Sequence, residues 1–221
     1  NSMSKEQLQI PSNEQLAALN DKIREGSYRE VYRNKNLAIK KLKKHVIKSV
    51  GSVKIRIPTR VYLLFRFGIS DINKYERKWY DHIISKAPPE MHRCFAEVLA
   101  VKKVNGFSYS INQLVLDADN QPSKTLVQHG KIESSSFWKK IEELEQFFKK
   151  HSIPYFTIGG YNICVQRQQD GSCFPVLIDY KRIGIRTFWH QLPLYLKHFR
   201  DLKMERRFQK MRDQLKGSGK E

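Results

Sequence analysis

Residues 158–179 read IGGYNICVQRQQDGSCFPVLID, and the fold turns on them. Two apolar runs, Ile163-Cys164-Val165 and Val176-Leu177-Ile178, flank a polar middle. Asp170-Gly171 is a hairpin turn signal, because both residues tolerate positive φ. The spacing predicts strand, turn, strand with a two-residue connection. Such a hairpin brings the start of its first strand beside the end of its second, so Asn162 and Asp179 share one mouth. An amide oxygen and a carboxylate side by side are hard ligands, of the kind Mg²⁺ takes while it also holds substrate phosphates. The same text also fits an ordinary hairpin that ends in polar residues.

On the N-terminal side of this stretch, residues 137–151 (FWKKIEELEQFFKKH) predict a helix with Ile141, Leu144, Phe147 and Phe148 as one stripe. Ser136 is the expected cap, and the last turn is basic, as the macrodipole prefers. Residues 117–124 read as a loop. Residues 95–104 and 107–116 predict a hairpin about Asn105-Gly106, a type I′ signal. Residues 71–85 predict a helix capped by Asp71, with Ile72, Tyr75, Trp79, His82 and Ile83 facing the core. Glu76 edges that stripe and needs a cation. Lys40, embedded in the strand text Leu37-Ala38-Ile39-Lys40, must snorkel or find an anion, and is the candidate partner. A surface-facing Lys in an alternating strand is the plainer alternative.

Gly26 separates a short strand from an alternating run ending at the turn Asn34-Lys35-Asn36, and residues 37–42 form the next strand. Ser12-Asn13-Glu14 fits a brief helix start. Residues 43–68 hold Lys43, Lys44, His45, Lys48, Lys54, Arg56, Arg60 and Arg66 without one acid. Their apolar residues alternate too irregularly to predict a strand. This stretch is either a contact for nucleic acid or anionic lipid headgroups, or a solvated insertion. Beyond Asp179, residues 187–215 predict helix with Trp189, Leu192, Leu196 and Phe199 as its stripe and Pro193 in a first turn or kink.

Lys and Arg number 41 against 22 Asp and Glu, a net charge of +19 in 221 residues. That balance predicts an anionic partner: nucleotide phosphates, nucleic acid, a phosphorylated glycolipid or an anionic membrane surface. The three cysteines, Cys94, Cys164 and Cys173, have no zinc spacing and suit a reducing compartment. Cys164 and Cys173 are placed to face each other across the hairpin, although a disulfide there is not favoured. No run is apolar enough to span a bilayer. The expected location is the cytoplasm or the periphery of the inner membrane.

The order hairpin, basic insertion, helix, hairpin, loop, helix, strand-turn-strand, helices resembles the protein-kinase superfamily. Leu37-Ala38-Ile39-Lys40 matches its V-A-I-K strand, Glu76 its helix Glu, Asn162 the Asn closing its catalytic loop, and Asp179 the first residue of its D-F-G. The phrases GSYREVYRNKNLAIK, YERKWYDHI and YNICVQ…PVLIDYKRIG are similar to the YrbL family of bacterial kinase-like proteins, the PhoP regulatory network protein family.

The resemblance implies an α+β, reduced two-lobed kinase-like fold. Residues 1–20 would be a lead-in, and 21–116 an antiparallel-sheet lobe with one helix and the insertion 43–68. Residues 117–216 would form a mostly helical lobe, and 217–221 a flexible tail. It implies ATP and Mg²⁺ as cofactors. Lys40 would hold the phosphates, Glu76 orient Lys40, Asn162 and Asp179 hold the metal, and Leu116 and Asp117 offer backbone to adenine. Gly26 alone keeps the glycine pattern over the phosphates, with Arg24 and Arg29 in the other glycine places as substitutes for neutralising charge. Thr157 stands where the catalytic Asp belongs, and Thr is no general base at neutral pH. The functions implied are an atypical phosphotransferase or a pseudokinase binding module. A basic nucleic-acid or membrane-surface protein is the reading that needs no nucleotide.

Overall fold

The computed structural model describes residues 9–50, 52–154, 158–180 and 196–216. The chain divides into two compact units, residues 1–78 with 97–114, and residues 79–96 with 115–221. Its class is α+β: an antiparallel sheet dominates the N-terminal part and helices the C-terminal part.

The first unit opens with α1 (Asn13–Ala17), where Ser12 and Gln15 cap each other reciprocally. Five strands follow the order β1 (Lys22–Glu25), β2 (Arg29–Asn34), β3 (Leu37–Leu42), β7 (Phe107–Gln113), β6 (Val98–Val104) across one antiparallel sheet. Period two sorts the central strands. Leu37 and Ile39 of β3 share a face with Tyr109 and Ile111 of β7, and Leu16 of α1 packs into the same cluster. The opposite face carries Lys40, Ser108, Ser110 and Asn112, and all four are buried. The β6–β7 turn is as expected, with Asn105 and Gly106 both at positive φ.

Residues 43–68 form regular structure, which corrects the irregular reading. β4 (His45–Val50) pairs antiparallel with β5 (Val53–Pro58), and α2 (Thr59–Phe67) follows. Leu63 of α2 packs with Leu42 and Ile72. The β5 text Val53-Lys54-Ile55-Arg56-Ile57 does alternate apolar and charged residues, and the register sets Ile57 opposite the buried Val46. Period two is therefore present in this hairpin, and the irregular reading of the whole stretch passed over it. Helix α3 (Ile72–Ile84) starts where Asp71 Oδ1 accepts hydrogen bonds from the N–H groups of Asn73 and Lys74.

In the second unit a 3₁₀ turn (Pro89–Cys94) leads to Phe95, whose ring meets Phe147, Phe148 and Tyr180. α4 (Leu126–His129) is a short turn capped by Thr125. α5 (Ser135–Lys150) buries Phe137, Ile141, Leu144, Phe147 and Phe148. Its N-cap is Ser134, whose Oγ accepts from Phe137 N, and not Ser136. Ser136 instead shares a hydrogen bond with Ser134 Oγ.

β8 (Ile163–Arg167) and β9 (Cys173–Leu177) form the expected hairpin. Its connection runs through five residues, 168–172, rather than two. Gln168 N donates to Ser172 O, Gly171 N donates to Gln168 O, and Gly171 has φ +79°. Cys164 pairs with Val176 and Cys173 with Arg167, so the two thiols do not face each other, and all three cysteines are free. In α6 (Lys197–Lys216) the buried residues are Met204, Phe208, Met211 and Leu215. Leu196 and Phe199, expected on the inner stripe, are exposed. Trp189, Leu192 and Pro193 lie outside the described residues.

Candidate functional site

Lys40 is at the middle of β3, opposite Val31 of β2 and Ser110 of β7. Its Nζ donates to Glu76 Oε1 at 2.6 Å. Glu76 is fully buried, and its other oxygen accepts from Arg29 Nη1. The sequence placed Arg29 among phosphate-facing substitutes; in the structure its side chain is 7% exposed and turned to Glu76. The register explains this. Arg29 pairs with Leu42 and Val31 with Lys40, so Arg29 and Lys40 stand on one face of the sheet. That period-two relation was available in the sequence, but only once the β2–β3 pairing was known.

Asn73, one turn before Glu76, locks the helix to this face. Its Nδ2 donates to Lys40 O, Ser108 O and Ser108 Oγ, and its Oδ1 accepts from Arg29. Residues three apart share a helix face, so Asn73 and Glu76 both look at the sheet. Arg77 adds two bonds to the carbonyls of Val98 and Leu99. Gly26 N donates to Arg29 O, and a side chain at Gly26 would sit 3.4 Å from that oxygen. The arrangement holds an ammonium at a fixed place in a sheet, which suits charge-assisted bonds to an oxyanion.

In the second unit, Ile163 pairs with Leu177 at the open end of the β8–β9 hairpin, and Ile178 N donates to Asn162 O at 3.1 Å. The register therefore sets Asn162 beside Ile178, with Asp179 the next residue. Asp179 is buried and Asn162 half-buried. The turn before Asn162 needs Gly160: a Cβ there would come within 2.6 Å of Val127 Cγ2. By residue type Asn162 and Asp179 offer an amide oxygen and a carboxylate, hard donors of the kind Mg²⁺ takes beside waters and phosphates, and the backbone register brings their segments together. Among the described residues there is no cluster of three or more His, Cys, Asp or Glu that could hold a metal. Thr157 lies outside the described residues.

Leu116 and Asp117 are held against the hairpin. Leu116 O accepts from Gln166 Nε2, and Asp117 N donates to Gln121 O. The Asp117 carboxylate accepts from Ser123 Oγ, Arg167 N and, at 2.7 Å, Arg167 Nε. Burial pushes its pKa up, but those three hydrogen bonds and the guanidinium charge outweigh burial and hold the carboxyl below its usual range. The Asp117–Arg167 link was not anticipated from the sequence, because the partners are far apart in the chain. Burial pushes the Cys94 thiol up to about 11, so it is no thiolate nucleophile at neutral pH.

No family model matches the chain, and no curated protein matches it. Among solved structures, one described as "PpkA-294 apo form" is 17% identical with a TM-score of 0.42. The match covers 73% of this chain and 57% of that one, so this chain spans little more than half of its length. A likeness this slight assigns no function.

Proposed function

We propose that the chain is a kinase-like nucleotide-binding protein that takes ATP with Mg²⁺. The observation that carries this reading is Lys40, buried on the middle strand of the sheet and held at 2.6 Å by Glu76 of α3. Lys is seldom buried unless paired. A pairing that fixes the ammonium without a floppy search makes it a point charge for phosphate oxygens. The strand order β1-β2-β3-β7-β6 supports the same reading, as does the register that sets Asn162 next to the Asp179 segment.

In this reading Lys40 binds the α- and β-phosphates, Glu76 orients Lys40, and Gly26 lies in the turn over the phosphates. Asn162 and Asp179 hold Mg²⁺, which when bound neutralises phosphate charge. Adenine meets the backbone about Leu116 and Asp117. The likeness in phrase to the YrbL family belongs to this proposal too. With Thr157 in the place of the catalytic Asp, any transfer rests on positioning and charge stabilisation. The protein then acts either as a slow phosphotransferase or as a pseudokinase that binds and signals by contact, and phosphate release separates the two.

The test is calorimetric titration of ATP with Mg²⁺ into wild type, Lys40→Ala and Asp179→Ala. The expected result is wild-type binding on the order of micromolar, weakened at least about tenfold in each variant, the equivalent of about 1.4 kcal/mol. A wild type that gives no binding heat and no Mg-dependent nucleotide thermal shift would sink the nucleotide reading.

A further inference from the structure

The β4–β5 hairpin and α2 carry a feature that the nucleotide reading does not use. Residues 43–68 contain seven Lys and Arg and no Asp or Glu. Five large apolar side chains within them, Ile47, Ile55, Val61, Leu64 and Phe65, are exposed. Helix α2 is apolar on two opposite sides. Thr59 and Leu63 are buried, while Val61, Leu64 and Phe65 form an outward stripe at i, i+3, i+4. A helix on a protein surface ordinarily turns polar residues outward. Phe65 is instead 87% exposed. Exposed Arg60 and Arg66 flank the stripe.

The hairpin repeats the combination. Lys48 Nζ lies over the Tyr62 ring at 4.9 Å, so the Lys48 face of the hairpin meets α2. Ile47 and Arg56, paired directly across the strands, stand on the other face, and Ile47 is 68% exposed.

We infer that this hairpin and helix are a docking surface for an anionic lipid bilayer. The stretch has no acid of its own. Lys43 pairs with Glu25 of β1, and Arg60 donates to Gly106 O. The remaining cations complement phosphate headgroups, and Val61, Leu64 and Phe65 enter the boundary between headgroups and acyl chains. Nucleic acid would match the charge but would leave Val61 and Leu64 without a role, since bases stack on aromatic faces. No helix among the described residues is long and apolar enough to cross a membrane, so the contact is with the surface. Exposed apolar surface gathered in this way marks interaction sites. This inference stands independently of the nucleotide site.

The test is co-sedimentation of the full chain with vesicles of equal parts phosphatidylglycerol and phosphatidylcholine, beside vesicles of phosphatidylcholine alone. The wild type is expected to sediment with the mixed vesicles and to remain in solution with the neutral ones. A Leu64→Ser/Phe65→Ser variant is expected to bind the mixed vesicles at least about tenfold more weakly, since burying each side chain in an apolar phase is strongly favourable. Both positions are exposed, so its melting temperature should match wild type. Arg60→Gln/Arg66→Gln provides a second variant with the same expected direction. Absence of wild-type sedimentation, or binding by either variant as tight as wild type, overturns the inference. It is also overturned if the Ser variant loses duplex DNA binding that is tighter than vesicle binding, or dissolves a dimer formed by the wild type.

Discussion

Glu76 accepts hydrogen bonds from two cations on the same sheet face, Arg29 and Lys40. Glu76→Gln leaves Lys40 and Arg29 buried beside a neutral amide, a loss of about 3–5 kcal/mol for breaking a buried pair from its shared partner. Lys40→Met leaves Arg29 still facing the carboxylate and should cost clearly less. Urea unfolding of both variants checks this; equal losses would mean that Arg29 does not support Glu76. At Asp117 the folded-state pKa lies below the unfolded one. Its contribution is therefore complete above the unfolded value, near pH 4, and is lost as pH falls through the folded value. Asp117→Asn should be less stable than wild type at neutral pH, with the gap closing below about pH 4. A gap that stays constant from neutral pH into that acid range would count against the Arg167 link. Of the residues at the candidate site, the Lys40–Glu76 pair was legible because each breaks its own pattern: a Lys in an apolar strand, a Glu beside an apolar stripe. Arg29 broke no pattern, so its role was hidden.

At the scale of elements, helices and strands with strong periodicity stood close to their expected places, and ends were less well defined. Three serines in a row, Ser134 to Ser136, stand at the start of α5, and by residue type each suits a cap. The first holds Phe137 N because it alone precedes the helix with extended backbone, at φ −64° and ψ 111°. Ser134→Ala should therefore destabilise the chain by about 1 kcal/mol, while Ser136→Ala should cost only a few tenths. Thermal melts of the two variants decide it, and a larger loss for Ser136→Ala would reassign the cap. The β8–β9 connection shows the same limit. Asp170-Gly171 correctly marked a turn, but Asp170 Oδ1 accepts from Ser172 N and Gln168 N donates to Ser172 O, which lengthens the loop. Local hydrogen bonds of this kind compete with a tight two-residue turn. In α6 the buried face is set by Met204, Phe208, Met211 and Leu215, at helical spacing, rather than by the aromatic residues nearer its start.

For the whole molecule, the sequence by itself determined the class of fold, the succession of elements outside residues 43–68 and the strong positive charge. Period two and period 3.6 are local properties, as are turn chemistry and caps, and a single chain displays them without its partners. The sequence offered Lys40 as a candidate partner for Glu76 beside the plainer reading of a surface-facing Lys, and the structure decided for the buried pair. The tertiary structure decided what local pattern cannot carry. Antiparallel register put Arg29 beside Lys40, and pairing across 50 positions tied Arg167 to Asp117. It also showed that the acid-free stretch is an ordered hairpin and helix with Val61, Leu64 and Phe65 turned outward. The physical reason is the same in each case. Which side of an element is buried depends on what packs against it, and that is a property of distant residues meeting rather than of neighbours in the chain.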